Sequence, residues 1–268
     1  MSGALRLENV SVGYGRKPVL DHLDIGPLPP GSLVAVVGSN AVGKSTLLKA
    51  IAGLRTASGR ILLGDTDLTQ LPLTRRVRLV GYLSQALPQP TSLVAYEAVT
   101  SAFRAVRGDL SAPEAERMVE DVFSALDLRS LALRRLSEMS GGQRQMVGLA
   151  QVLVRKPPLL LLDEPTSALD LRWQLNVLQT VRAITREEGA ICLMAIHDIN
   201  LALRFCDRIV VLGGGGLLAE GTPEAVMDAA LLRRAYGIEG RVERCSHGFP
   251  IVLTDRAVAP DPAARAIS

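Results

Sequence analysis

The stretch GSNAVGKST, residues 38 to 46, sets two glycines, a lysine and a serine at the spacing G-x-x-x-x-G-K-[ST]. In such a loop the glycines let backbone N–H groups wrap phosphate oxygens, the lysine reaches the β- and γ-phosphates, and the next hydroxyl can hold Mg²⁺. Gly38, Ser39, Asn40, Ala41, Val42, Gly43, Lys44, Ser45 and Thr46 are therefore candidate phosphate-binding residues, with Ser45 a candidate metal ligand. Lys44 is one of four lysines in a chain with twenty-six arginines. A compact ammonium on a flexible stem reaches between phosphates where a planar guanidinium is bulkier and differently aimed. A second group follows four leucines, LLLLDE, and ends in Asp163 and Glu164. Asp163 suits a carboxylate that holds Mg²⁺ directly or through water, and Glu164 is then the free carboxylate placed to polarise a water for attack on a γ-phosphate. A third group is SGGQ at 140 to 143, directly before a strongly helical stretch, which turns another helix N-terminus toward an anion. One nucleotide already has its own loop, so this second anion-binding start points to a face that meets another subunit's nucleotide.

These groups need elements to place them. SLVAVV before the phosphate loop is a short β-branched run fit for a buried parallel strand, and STLLKAIAGL after it has helical apolar spacing. Two further apolar runs, LLLLD and AICLMAI, flank the helix-like LRWQLNVLQTVRAITREE, which is the βαβ alternation of a parallel sheet. Parallel strands collect ligand groups at their carboxyl ends, so Asp163, Glu164 and His197 are expected to cluster near the phosphate loop. LRLENVSVGYG alternates and leads through a second strand and a proline-glycine turn, which predicts an N-terminal antiparallel sheet. From Leu93 to Lys156 strand signals fade, and APEAERMVEDVFSALDL starts a helix with Pro113 early. RIVVLGGGGLLAEG reads as a glycine-rich hairpin, followed by a polar tail.

A chain of 268 residues can bury one large α/β core with an inserted subdomain. Net charge is +3, the arginines are scattered, and the aromatics number four Tyr, four Phe and one Trp, so nucleic acid is not an expected partner. Cys192, Cys206 and Cys245 lack metal-ligand spacing and read as reduced packing residues. Arg6 and Glu8 interrupt any signal-peptide run, and no apolar stretch reaches the eighteen or so residues needed to span a bilayer.

GSNAVGKST, Gln85, MSGGQRQ, LLLLDEPTSALD and AIHD occur in the order of an ATP-binding cassette, and over roughly residues 4 to 240 the chain resembles the ATPase subunit of an ABC transporter. The resemblance implies an α/β fold: a P-loop NTPase core with a mostly parallel sheet, an N-terminal antiparallel β subdomain and an inserted helical subdomain. The whole chain, 1–268, would be one cassette. Residues 4–86 and 157–240 would form the nucleotide-binding core, 87–156 the helical subdomain with the signature, and 241–268 a C-terminal tail. It also implies ATP and Mg²⁺ as cofactors, with Tyr14 stacked on adenine and Ser45, Gln85 and Asp163 around the metal. Lys44, Gln85, Glu164 and His197 would act in catalysis, His197 by contacting the γ-phosphate and Gln85 by relaying closure to a permease. Ser140, Gly141, Gly142 and Gln143 would bind the γ-phosphate of the opposite subunit, with Asp170 in the D-loop at the seam. Trp173, the single tryptophan, reads as packing or interface. The implied partners are a second ATPase subunit in a homodimer, transmembrane permease subunits and, indirectly, a substrate-binding protein. The implied location is the cytoplasmic face of the membrane, held peripherally by the permease.

Two positions depart from the family pattern. Met139 stands where leucine is usual and Ala41 where glycine is frequent, and neither change removes the chemistry. DEPTSALDLRWQLNVL, HDINLALRFCDRIVVL and YGIEGRVERCSHGFPIVLTD resemble the subunits that drive import of iron chelates, haem or cobalamin. ALPQPTSLVAYEAVTSAFRAVRG, where the family meets its permease, is less typical of those importers and leaves the cargo open among them, other solutes or export. A kinase would share the phosphate loop without needing SGGQ. A repair-type cassette would part Lys44 from Asp163 by a long coiled coil, and no sustained heptads lie between them. A translation-type protein would carry two cassettes.

Overall fold

The computed structural model describes residues 3–15, 17–107 and 110–258; the end of the expected tail, 259–268, lies outside the described residues. The chain opens with β1 (Leu5–Tyr14), β2 (Lys17–Leu28) and β3 (Leu33–Val37), then α1 (Lys44–Ala52), β4 (Ala57–Leu63), β5 (Thr66–Asp67), α2 (Leu73–Leu79) and β6 (Val80–Leu83). Three helices follow, α3 (Ala95–Arg104), α4 (Ala112–Ala125) and α5 (Gly141–Leu153). The chain then runs through β7 (Leu159–Asp163), α6 (Leu171–Glu188), β8 (Ile191–Ala195), α7 (Ile199–Phe205), β9 (Arg208–Gly213) and β10 (Gly216–Gly221). It closes with α8 (Pro223–Val226), α9 (Ala229–Tyr236), β11 (Ile238–Arg244) and β12 (Pro250–Ala257).

The central sheet has the order β10-β9-β3-β8-β7-β6, with β9, β3, β8, β7 and β6 parallel and β10 antiparallel at the edge. Its strands are apolar on both faces because the sheet separates two cores. On β3, Leu33, Ala35 and Val37 pack with the helical side, whereas Val34 and Val36 pack with α1 and the antiparallel sheet. β7 divides in the same way, Leu160 and Leu162 to one core and Leu159 and Leu161 to the other. That is why these runs carry no polar alternation. The antiparallel sheet, β2-β1-β4-β5, lies against α1, as the alternating N-terminus predicts.

Local sequence explains the helix starts. α4 opens with a capping motif in which the Ser111 N–H and hydroxyl both donate to the Glu114 carboxylate, at 2.9 and 2.6 Å, with proline in its first turn. α5 has another between Ser140 and Gln143, and Asp170 caps α6 by accepting from Trp173 N at 3.0 Å. Cys192 and Cys206 are buried in the helical-side core, where burial pushes both thiols up, Cys206 to about 12, so they act as packing groups. The segment read as a polar tail folds instead as the hairpin β11–β12. Val252 is buried against the core, and the Asn200 amide bonds both the N–H and the C=O of Val252, which fastens the hairpin to α7.

Candidate functional site

The strand order places the carboxyl ends of β3, β8, β7 and β6 side by side, and four sequence groups leave from them. The phosphate loop follows β3. Its first residue, Gly38, has φ 144°, and a Cβ there would come within 2.4 Å of the Leu212 carbonyl oxygen, so only glycine lets the loop leave the sheet this way. Ala41 also lies in the left-handed region, at φ 61°, which its methyl tolerates at a cost of about 1 kcal/mol. Lys44 is only 5% exposed, and its Nζ donates to the carbonyls of Gly38 at 2.8 Å and Ser39 at 3.0 Å. Burial holds the Lys44 ammonium below its usual pKa, opposed by the carboxylates of Glu164 and Asp163. Ser45 Oγ donates to Asp163 Oδ1 at 2.8 Å, which joins the loop directly to the end of β7.

Glu164, the residue after β7, has φ 55° and its side chain is almost covered. Both of its oxygens are held from neighbouring strand ends. His197, two residues past β8, brings Nε2 to 2.5 Å from Oε1, and Gln85, two past β6, donates from Nε2 to Oε2 at 2.8 Å. The carboxylate is thus aimed by two partners that only the parallel topology brings together. Tyr14, Val19, Asn40, Ala41, Gly43, Lys44, Ser45, Thr46, Gln85, Glu164 and His197 line one cleft of ≈ 470 Å³. Gly38, Ser39 and Asp163 stand directly behind it through the contacts just given. Tyr14 is half exposed at the cleft edge, and its phenol is held below the usual pKa first by a hydrogen bond with the Thr46 side chain, with the charges of Arg55 and Lys49 adding to this against an opposing effect of burial.

Ser140, Gly141, Gly142 and Gln143 do not line this cleft. They form the start of α5, where Ser140 and Gln143 cap each other, Gln143 N donating to Ser140 Oγ at 3.2 Å and Ser140 N to Gln143 Oε1 at 3.0 Å. Asp170 caps the next helix along, and Trp173 is half-buried against the helical-side core. A single copy therefore assembles the phosphate loop, the two carboxylates, Gln85 and His197, and leaves SGGQ elsewhere on its surface.

Three residues at the site went unread in the sequence. Tyr82 on β6 donates its hydroxyl to Asp163 Oδ2 at 3.2 Å, and burial, then Asp163, raise its pKa. Gln145, 4% exposed on α5, donates to the Glu164 backbone carbonyl at 2.9 Å. Burial pushes the phenol of Tyr236, at the end of α9, up to about 12, against an opposing effect of the nearby Gly38 backbone. Each joins segments far apart in the chain, and the one local signal was MSGGQRQ, which contains Gln145.

The family model described as ABC transporter matches residues 25–167. The hemin import ATP-binding protein HmuV of Pseudomonas aeruginosa is 39% identical over 259 residues, covering 93% of this chain and 99% of that protein. A bacterial ABC transporter cassette solved as a dimer superposes with a TM-score of 0.73 at 28% identity, over 82% of this chain and 98% of that one. An inward-facing metal-chelate type ABC transporter shares the fold, with a TM-score of 0.77 at 22% identity over 94% of this chain and 98% of that one.

Proposed function

Since the chain belongs to the ABC transporter family and is an ATPase of that family, we propose that it powers import of a metal chelate of the haem, ferric-siderophore or cobalamin class, with haem foremost. The observation that carries the catalytic part is the cleft itself, where a buried lysine, a hydroxyl bound to a carboxylate, and a second carboxylate clasped by Gln85 and His197 converge on one space. Likeness to a hemin import protein over nearly the whole chain supports the cargo class.

In this reading the loop N–H groups and Lys44 hold the β- and γ-phosphates of ATP, and Tyr14 lies against the base. Ser45 and Asp163 offer hard oxygens, and among the described residues no cluster of three or more His, Cys, Asp or Glu builds a full protein cage; this suits Mg²⁺, which keeps most of its sphere for water and phosphate. Bound there, Mg²⁺ would neutralise charge developing on the phosphates. Tyr82 holds the other oxygen of Asp163 so that Oδ1 faces Ser45. Glu164 accepts a proton from the attacking water, and His197 and Gln85 keep its carboxylate aimed. Gln145 holds the Glu164 peptide in its left-handed conformation. Gln145→Glu keeps the shape but cannot donate, so it should lower kcat by about tenfold with KM for ATP nearly unchanged. Equal loss in both constants, or none in kcat, would remove Gln145 from this role.

Two copies facing head to tail would bring SGGQ of each to the γ-phosphate on the other, completing both sites. No helix among the described residues is long and apolar enough to cross a membrane. In this reading permease subunits supply the pathway, this chain sits peripherally on the cytoplasmic face, and a substrate-binding protein delivers cargo. Closure would be passed on through the surface from Gln85 to Arg107. There Leu93 is 46% exposed and lines a groove of ≈ 360 Å³ with Pro88, Ala98 and Leu136. Leu93→Asp should fold normally, hydrolyse ATP at the basal rate and lose transport; uptake at the wild-type level would move the docking surface elsewhere. The cargo class is tested by deleting the coding sequence and measuring cellular uptake of labelled haem, ferric siderophore and cobalamin. A fall in one of the three is expected, and a fall confined to some other solute overturns the cargo while leaving the ATPase.

A further inference from the structure

The Tyr14 ring has two faces, and one is already taken. The Arg55 guanidinium carbon lies 4.0 Å from the ring centroid, while the same tyrosine lines the cleft and is half exposed. The Tyr14 ring is thus a direct partner of the Arg55 guanidinium. We infer that Arg55 is a positioning residue for the nucleotide base: it backs Tyr14, and a purine entering the cleft completes a stack of guanidinium, phenol and base.

The position of Arg55 is fixed by the chain around it. α1 ends at Gly53 in the left-handed conformation, and the N–H groups of Leu54 and Arg55 both donate to the Lys49 carbonyl, at 2.9 and 3.2 Å. Two residues later β4 begins, its Ala57 paired with Val12 of β1, the strand that ends in Tyr14. Arg55 therefore sits at the corner between the phosphate-loop helix and the antiparallel sheet, tied to both. At the other end of α1, Thr46 lies beside the Tyr14 phenol and lowers its pKa. The ring plane is backed before a ligand arrives, and that reduces the ordering cost of binding.

The electrostatics favour the same arrangement. Tyrosine and purine faces are both electron-rich, so direct stacking is limited by quadrupole repulsion. A cation on the back of the phenol draws that density away from the front face. Arginine supplies a flat plate for this, whereas lysine would supply a point charge.

The inference rests on the reading of the cleft as an ATP site with Tyr14 against the base, and the test separates the two. Binding of ATP, ADP and inorganic tripolyphosphate is measured by calorimetry on the full chain and on Arg55→Ala, Arg55→Lys and Tyr14→Ala. Arg55→Ala should weaken ATP and ADP by about fivefold and leave tripolyphosphate unchanged, with Arg55→Lys between it and wild type; in steady state the loss should fall on KM. Tyr14→Ala should show the same selectivity. Tripolyphosphate weakened as much as ATP by Arg55→Ala would make Arg55 a general attractor of phosphate and overturn the inference. Selective loss with Tyr14→Ala but none with Arg55→Ala would overturn the role of Arg55 alone. No loss of ATP affinity with Tyr14→Ala would overturn both readings.

Discussion

Glu164→Gln is expected to bind ATP about as well as the wild type and to hydrolyse it at least about a hundredfold more slowly, the range that removal of a positioned general base produces. The reason lies in the clasp around the side chain. Glu164 accepts from Gln85 at one oxygen and meets His197 at the other, so an amide of the same shape keeps one contact as it stands. The other survives if His197 changes tautomer and presents Nε2 as an acceptor. What the amide lacks is the negative charge that draws a proton from water. Single-turnover hydrolysis with calorimetric ATP affinity separates the two quantities, and a variant with wild-type turnover would remove Glu164 from catalysis.

Lys44→Arg is the second large effect. The ammonium is enclosed at 5% exposure, with the Gly38 and Ser39 carbonyls 2.8 and 3.0 Å from Nζ. That cradle accepts a small tetrahedral donor. A guanidinium is longer and planar, and to enter it must spread a loop whose first glycine already touches the end of β9. ATP affinity should fall by at least about tenfold, the loss of roughly one charge-assisted hydrogen bond, and hydrolysis should fall with it. Affinity and turnover both equal to wild type would contradict the assignment. This also explains why a chain so rich in arginine keeps a lysine here.

Much of the site was legible because it depends on strand ends. Four leucines followed by Asp163 could hardly form anything but a buried strand ending in a carboxylate, and parallel topology then dictated that Glu164, His197 and the phosphate loop meet. The helix over Leu171–Glu188 was equally plain, carrying helical periodicity for its full length and an aspartate cap. Tyr82 was not legible, because in VGYL it looks like any half-buried strand tyrosine; only the pairing of β6 with β7, set by the whole sheet, brings it to Asp163. Gln145 and Tyr236 were missed for the same reason. The β11–β12 hairpin reads as tail because its burial is partial and its strands carry charged residues that pair across it, such as Arg241 with Asp255 and Arg256 with Glu239. Its docking depends on Asn200, fifty-two residues from its partner. Arg55 lies in a short exposed corner with no pattern of its own, and only the fold lays it on Tyr14.

In the proposed cycle each cleft is half a site, completed by SGGQ from a second copy bound across ATP. The most direct measurement is the molar mass of the Glu164→Gln chain in solution, by light scattering after size exclusion, with Mg-ATP and without nucleotide. Twice the mass of one chain is expected with Mg-ATP and a single chain without it. Adding Gly142→Asp, which puts a negative charge where the partner's γ-phosphate would lie, should return the Mg-ATP sample to a single chain. A single chain at saturating Mg-ATP, or a dimer indifferent to both nucleotide and Gly142→Asp, would contradict the proposed cycle.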